Sequence, residues 1–253
     1  MTRYPTNRVT GDPSRPSPLF GHGPDFGYFY YGSIWYGDEL WNGGQHKDYN
    51  NDGIFDDYDG LQWDEEANNG NGFREWEPFT HPEFGEVEIG GFHPKFFAQN
   101  GPPHQLEKWA SRQALFNLAM AKDLPLLNLD DVTVTEKSKT NDETVYSIKV
   151  TWTNVGNLPV ALKQAQLVKI VREDRAQLEF EEELIKGKDA KVKILTPSTY
   201  DKTIRAGYTE PGETKETEFE VRVLGKDGGK VKVLSTRGGY LEALITLGKI
   251  KKE

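Results

Sequence analysis

A chain of 253 residues carrying 31 basic and 40 acidic side chains has a net charge of −9. That balance argues against a phosphate backbone as partner, and no apolar run approaches the roughly 18 residues of a membrane-spanning helix. The absence of cysteine removes disulfides and thiolate metal sites together without choosing a compartment.

The length suits two domains, and the texture is uneven. Tryptophan stops at Trp152, aromatics and glycine crowd the first hundred residues, and the rest alternates β-branched residues with Lys and Glu. The shift falls between Leu124 and Asp130. Residues 1–24 are proline-rich without apolar periodicity, which predicts an extended lead-in rather than a core element, and they carry no signal-peptide pattern. The aromatic run from Gly27 to Trp41 must bury at least one face and predicts a short helix, then a strand ending near Leu40. Residues 43–75, acidic and rich in glycine and asparagine, predict a long insertion loop outside the core. Residues 86–92 (EVEIGGF) predict a short strand. Leu106, Trp109, Ala110, Leu115, Phe116, Leu118 and Ala119 recur at helical spacing and predict one long helix ending before Pro125.

Beyond Asp130 the period becomes two. Tyr146, Ile148, Val150 and Trp152 fall on one face, and the alternation returns at Phe219, Val221 and Val223 and at Val231 and Val233. About seven strands separated by turn signals predict an immunoglobulin-like sandwich.

Three groups of residues carry candidate chemistry. Glu39 is a carboxylate set in an aromatic segment between Trp35 and Trp41, where it is costly unless paired, solvated or functional. The acidic stretch 48–59 places Asp48, Asn50, Asp52, Gly53, Ile54, Asp56 and Asp59 at positions 1, 3, 5, 6, 7, 9 and 12 of a calcium loop. Oxygen ligands at this spacing, with the Ile54 carbonyl and a glycine at the sharp turn, suit Ca²⁺. Position 12 is Asp where the usual bidentate ligand is Glu, and a solvated acidic loop is the plain alternative. His81 before Pro82 reads as a turn residue, and Glu88 shares a strand face with Glu86.

Asp25–Phe26, Gly32 and Glu39–Leu40–Trp41 stand in order, followed by His81–Pro82, Gly85, Val87–Glu88–Ile89–Gly90–Gly91, Asn100 and Pro102–Pro103. This series resembles the C-terminal part of the carboxypeptidase A-like zinc metallopeptidases. The resemblance continues through Asn154-Val-Gly-Asn-Leu-Pro159 to Gly238–Gly239. It implies an incomplete α/β catalytic domain over residues 1–128, with the acidic insertion at 43–75, and a separate β-sandwich over 129–253. It implies further that Glu39 is the general base, taking a proton from the attacking water and giving it to the leaving amine. Asp25 and Glu88 are the candidate substrate-pocket residues, with packing as the other reading of Glu88, whose role the resemblance does not give.

Relatives bind zinc through a His-x-x-Glu pair and a distant histidine, all upstream of the base. Nothing here precedes Glu39 by enough to supply them, so zinc ligands are expected outside this chain, with the missing N-terminal part of the catalytic domain as partner and a peptide as substrate. The chain alone is expected to be inactive. His104–Glu107 has the His-x-x-Glu spacing but opens the long helix downstream. The relatives' transition-state tyrosine has only Tyr4 as a displaced counterpart. The rival reading is a non-catalytic, calcium-dependent module that binds peptide or carbohydrate. A calcium loop would be filled outside the cytoplasm, which points to a periplasmic or extracellular location.

Overall fold

A computed structural model describes residues 11–12, 15–16, 21, 23–37, 41, 47–186, 190–224 and 227–247. In chain order the elements are β1 (Gly11–Asp12), β2 (Arg15–Pro16), α1 (Gly23–Asp25) running into a π-helical turn (Phe26–Tyr30), α2 (Asp57–Asn68), β3 (Phe73–His81) and β4 (Gly85–Phe92). A second π turn (Pro94–Gln99) and a 3₁₀ turn (Pro103–Gln105) lead into α3 (Leu106–Lys122). There follow β5 (Leu127–Lys139), β6 (Thr144–Asn154), α4 (Lys163–Leu167), β7 (Arg175–Glu179), α5 (Glu182–Ile185), β8 (Val192–Thr196), β9 (Thr203–Arg205), β10 (Thr214–Val223), β11 (Asp227–Ser235) and β12 (Gly239–Leu247). Every paired strand is antiparallel. Among the described residues no helix is long and apolar enough to cross a membrane.

The chain divides into two compact units, Met1–Pro18 with Tyr36–Ala119, and Leu19–Trp35 with Met120–Glu253. In the first, residues 43–75 depart from the expected loop, because 12 of them form α2. The helix exists through its ends rather than through an apolar stripe. The Asp56 side chain accepts from Tyr58 N while the Asp59 side chain accepts from Asp56 N, a reciprocal capping box that satisfies donors a helix start leaves unpaired. At the other end Asn69 takes the left-handed conformation. Buried Asp64 accepts from Asn68 Nδ2, Gly72 N and Phe73 N, tying the helix to the first residues of β3. Trp63 is the one large apolar side chain of α2 to be buried, against Trp41 and Phe97.

β4 forms where expected and pairs with β3, which the sequence did not reveal. The expected strand before Leu40 does not form over residues 32–37, which have no ladder bonds. Its final residues, 38–40, lie outside the described residues. Helix α3 matches its periodicity, but Leu106, Leu115 and Leu118 on it are all more than 60% exposed.

In the second unit two four-stranded sheets, ordered β5-β6-β10-β8 and β12-β11-β7-β9, share one apolar core. Tyr146, Ile148, Val150 and Trp152 all point into it, and so do Phe219, Val221, Val223, Val231 and Val233. The outer face explains the Lys/Glu alternation: Lys149 pairs with Glu216 at 3.0 Å and Lys230 with Glu242 at 2.8 Å across adjacent strands. Such exposed pairs contribute about 0.2–1 kcal/mol each.

Buried Asn154 organises the following turn with its whole hydrogen-bonding capacity. Its Oδ1 accepts from Leu126 N and Gly156 N, and its Nδ2 donates to Leu158 O and Thr209 O. Gly156 cannot carry a side chain, because a Cβ would lie 2.2 Å from Leu124 O. The Asn-x-Gly of this segment is therefore a packing requirement where two chain segments cross.

Asp174 is buried with Oδ2 accepting from Thr209 N and Oγ1, while Oδ1 lacks a hydrogen bond of good geometry. Burial pushes its pKa up, and hydrogen bonds from Ser235 and Thr209 with the charge of Lys215 pull back only in part. A carboxyl raised in the folded state contributes stability that is fully present below its unfolded pKa and lost as pH rises through the folded value. Asp174→Asn, which mimics the neutral form, is therefore expected to raise Tm by about 2–4 °C at pH 7, with the gain shrinking toward pH 4. A gain that does not grow with pH in thermal melts would refute this account of Asp174.

Candidate functional site

Trp41 stands two positions after Glu39 in the sequence. That indole is buried among Trp63, Phe97 and Trp109, at 5.4 Å from the Trp63 ring and 6.0 Å from Trp109, and its Nε1 donates to Phe97 O at 2.5 Å. Buried aromatic donors need such a partner. Glu39 itself lies outside the described residues, as does Leu40.

On the N-terminal side, half-buried Asp25 ends α1 and its Oδ2 accepts from Gly21 N at 2.6 Å. The π turn then closes with Tyr31 N donating to Phe26 O, Gly32 N to Tyr28 O and Ser33 N to Gly27 O. Gly32 has φ +62°, and a Cβ there would lie 2.3 Å from Ala165 Cα. The glycine in the Asp-aromatic–Gly–Glu series thus meets two demands at once, a left-handed backbone and close approach to α4.

The acidic loop folds back on itself. Asp48 Oδ2 accepts from Gly53 N and its Oδ1 from Asp52 N, Asn50 Oδ1 also accepts from Asp52 N, and Asp52 Oδ1 accepts from Ile54 N. Gly53 sits at φ +80° at the sharp turn. Asp59 is fully buried and accepts from Tyr49 N and Asp56 N, one bond to each oxygen. Ile54 and Asp56 are exposed. Tyr49, whose hydroxyl donates to Glu66, has its pKa pushed up to about 12 by burial first and then by that bond and the nearby carboxylates. Among the described residues no three His, Asp or Glu side chains converge as a metal-ligating group; the loop carboxylates are directed at backbone N–H groups.

Two of the histidines, His81 and His104, are engaged in hydrogen bonds within the first unit. His81 Nδ1 accepts from Glu83 N and Phe84 N, and its ring stacks on Phe84 at 4.6 Å, so it caps the β3–β4 turn. His104 Nε2 donates to Ala67 O at 2.7 Å, which occupies the histidine of the His104–Glu107 pair. Glu88 is exposed on β4 opposite Pro78, and Asp25 belongs to the other unit. Two features escaped the sequence reading. The Asp56-x-x-Asp59 capping box was detectable from its spacing alone, whereas the Arg237 bonds to Tyr31 O and Gly32 O span more than 200 residues and leave no local signal.

Residues 126–246 match the model of a domain of unknown function, DUF8731. No curated protein matches the chain in sequence. Among solved structures the chain is similar to a Bacillus subtilis protein described as a lipoprotein, at 14% identity over 49% of this chain and 37% of that one, with a TM-score of 0.27. It is similar to the secreted serine protease VesC of Vibrio cholerae at 13% identity over 67% of this chain and 31% of that one, TM-score 0.27, and to an Archaeoglobus fulgidus protein at 9% identity over 49% of this chain and all of that one, TM-score 0.22. The chain thus spans about a third of the length of the first two. Likenesses this distant assign it neither a fold nor an activity.

Proposed function

We propose that this chain is the C-terminal part of a zinc metallocarboxypeptidase-like hydrolase whose peptide cleavage uses Glu39 as general acid and base, with an immunoglobulin-like sandwich at its C-terminal end. The observation that carries the reading is the ordered series Asp25–Phe26, Gly32, Glu39–Leu40–Trp41, His81–Pro82 and Val87–Gly91. Geometry supports it at three of these places. Gly32 is required where it stands, Trp41 is an anchor, and His81 caps the turn before the β4 strand.

Exposed apolar surface supports the reading as well. In the first unit, Leu106, Leu115 and Leu118 of α3 are each exposed, and in the second Phe26, Phe29 and Tyr30 are each more than half exposed. Exposed apolar side chains in such number fit a chain that has a further partner surface. The two four-stranded antiparallel sheets around one core support the immunoglobulin-like assignment.

The zinc ligands belong to the upstream part, and a bound zinc would supply Lewis-acid activation there. What this chain supplies is a carboxylate that accepts a proton from water attacking the scissile carbonyl and returns it to the amine nitrogen as the C–N bond breaks. The test is to express the chain with its upstream sequence, measure bound zinc, and assay release of C-terminal residues from peptides. Stoichiometric zinc with chelator-sensitive release is the expected result. A longer polypeptide without zinc or hydrolysis would refute the reading.

A second reading, a calcium-dependent binding module, is favoured by the folded-back acidic loop and the helix that leaves it. Under either reading the loop oxygens at Asp48, Asn50, Asp52, Ile54, Asp56 and Asp59 would hold Ca²⁺ once the carboxylates released their backbone partners. Calorimetric titration of the chain is expected to show one site in the range of about 10⁻⁶–10⁻³ M, abolished by Asp48→Ala. No heat at millimolar Ca²⁺ would remove calcium from both readings. The compartment this implies is periplasmic or extracellular.

A further inference from the structure

In the unit with two four-stranded sheets, β12 lies beside β5, whereas β8 ends its sheet. It has β10 on one side and, among the described residues, no strand on the other. Leu224 N donates to Lys191 O, and the register continues with Val223 opposite Val192, Arg222 opposite Lys193 and Val221 opposite Ile194. Antiparallel pairs alternate between those that exchange backbone hydrogen bonds and those that do not. Lys191 and Lys193 therefore direct their N–H and C=O groups at β10, and Val192 and Ile194 direct theirs at the free edge.

This edge borders a cavity of about 690 Å³ whose lining carries Lys191, Lys193, Lys202 and Arg222 but one carboxylate, Glu143. Glu143 lies 3.5 Å from Arg222, and the Lys202 ammonium donates to Pro197 O. Among the described residues no carboxylate pairs with Lys191 or Lys193. Arg222 and Lys193 stand directly opposite each other, an arrangement of like charges that destabilises a strand pair. On a chain of net charge −9 this is a basic patch that its own neighbours leave only partly neutralised. Ile185 and Leu224, both more than 40% exposed, add apolar surface to the lining.

We propose that the free edge of β8 docks an extended acidic segment of a partner protein, which adds to the sheet as a further strand. The backbone groups of Val192 and Ile194 supply the ladder bonds, and the cations select the sequence. Side chains of an added strand alternate between faces, so acidic residues at every second position fall on the face of Lys191 and Lys193. Lysines on an edge discourage pairing between copies. A second copy adding antiparallel through β8 sets lysine against lysine, whereas an acidic strand offsets the repulsion between Lys193 and Arg222. The site is independent of the peptidase and calcium readings of the first unit, to which none of its residues belongs.

The experiment uses the whole chain and three synthetic peptides. One alternates valine with glutamate, the second alternates valine with lysine, and the third is the glutamate peptide with every second amide N-methylated, which removes ladder donors. The glutamate peptide is expected to bind at least about tenfold more tightly than the lysine peptide, and less tightly as salt is raised. At saturation it is expected to slow hydrogen exchange of the Val192 and Ile194 amides about tenfold or more, with β6 amides unchanged. Lys193→Glu separates binding from folding, because it places opposite charges across the β8–β10 pair. It is expected to keep or raise Tm while weakening the glutamate peptide about tenfold or more and strengthening the lysine peptide.

No binding of the glutamate peptide at about 1 mM overturns the site. Equal affinity for the glutamate and lysine peptides overturns selection by charge. Equal binding of the N-methylated peptide, or binding that leaves Val192 and Ile194 unprotected, overturns strand addition. A peptide-free dimer in sedimentation that already protects these two amides makes the edge an interface between copies and overturns the partner.

Discussion

Glu39→Gln in the zinc-loaded, upstream-extended polypeptide is expected to lower kcat by about 10²–10⁴-fold, with zinc stoichiometry and KM unchanged. The substitution keeps the size and most of the hydrogen-bonding capacity of the side chain and removes only its ability to accept and return a proton. An interaction needed only in the transition state is lost from kcat, while one made equally in ground and transition states is lost from KM. A large rise in KM with intact kcat would make Glu39 a substrate-binding carboxylate, and unchanged kinetics would remove it from the mechanism. Glu39→Asp is informative beside it, because the proton acceptor is kept but shortened by one methylene. Activity below that of the parent but above that of the Gln variant is the expected order.

Trp152→Ala carries the largest expected effect on stability. The indole is fully buried on β6 between the two sheets, among Ile148, Val150 and Phe219, and its Nε1 donates to Thr209 Oγ1 at 3.4 Å. Thr209 in turn donates to Asp174. Truncation removes the largest side chain of this core and leaves a cavity that strands pinned on both sides cannot close, at a cost of about 3–5 kcal/mol. Against a total of about 5–15 kcal/mol for a domain, this is enough to shift the urea midpoint of the β unit strongly. Trp152→Phe, which retains most of the volume, is expected to lose well under half as much. A loss below about 1 kcal/mol for the alanine variant would mean that the sheets do not enclose this residue as described.

The two units differed in how far the sequence disclosed them, and the reason is physical. β6, β10 and β11 each bury one face and solvate the other, so Tyr146 to Trp152, Phe219 to Val223 and Val231 to Val233 announce both the strand and its inward side. α3 announces itself through periodicity, but an apolar stripe does not say what covers it, and Leu106, Leu115 and Leu118 proved exposed. α2 and β3 were hidden for opposite reasons. α2 has almost no stripe and is held by Asp56, Asp59 and Asp64, whose value lies in hydrogen bonds to particular backbone groups rather than in composition. β3 has Glu75, Glu77 and Pro78 in its middle and a register shift between Arg74 and Glu77, so no alternation survives. Of the candidate site, the residue types and order were legible, while the bonds from Arg237 and Gln164 to the Phe26–Gly32 stretch were not, since they join stretches more than 130 residues apart in sequence.

The indole cluster at Trp41 has an optical consequence. Trp41, Trp63 and Trp109 lie with ring centres 5.4 and 6.0 Å apart at steep mutual angles, close enough for their electronic transitions to couple and give an exciton couplet in the circular dichroism of the first unit. Trp152 is the one tryptophan of the described β core. Because the acidic loop runs directly into the helix that bears Trp63, any cation ordering that loop would alter the couplet, and the chain carries its own dye for the event two residues from Glu39.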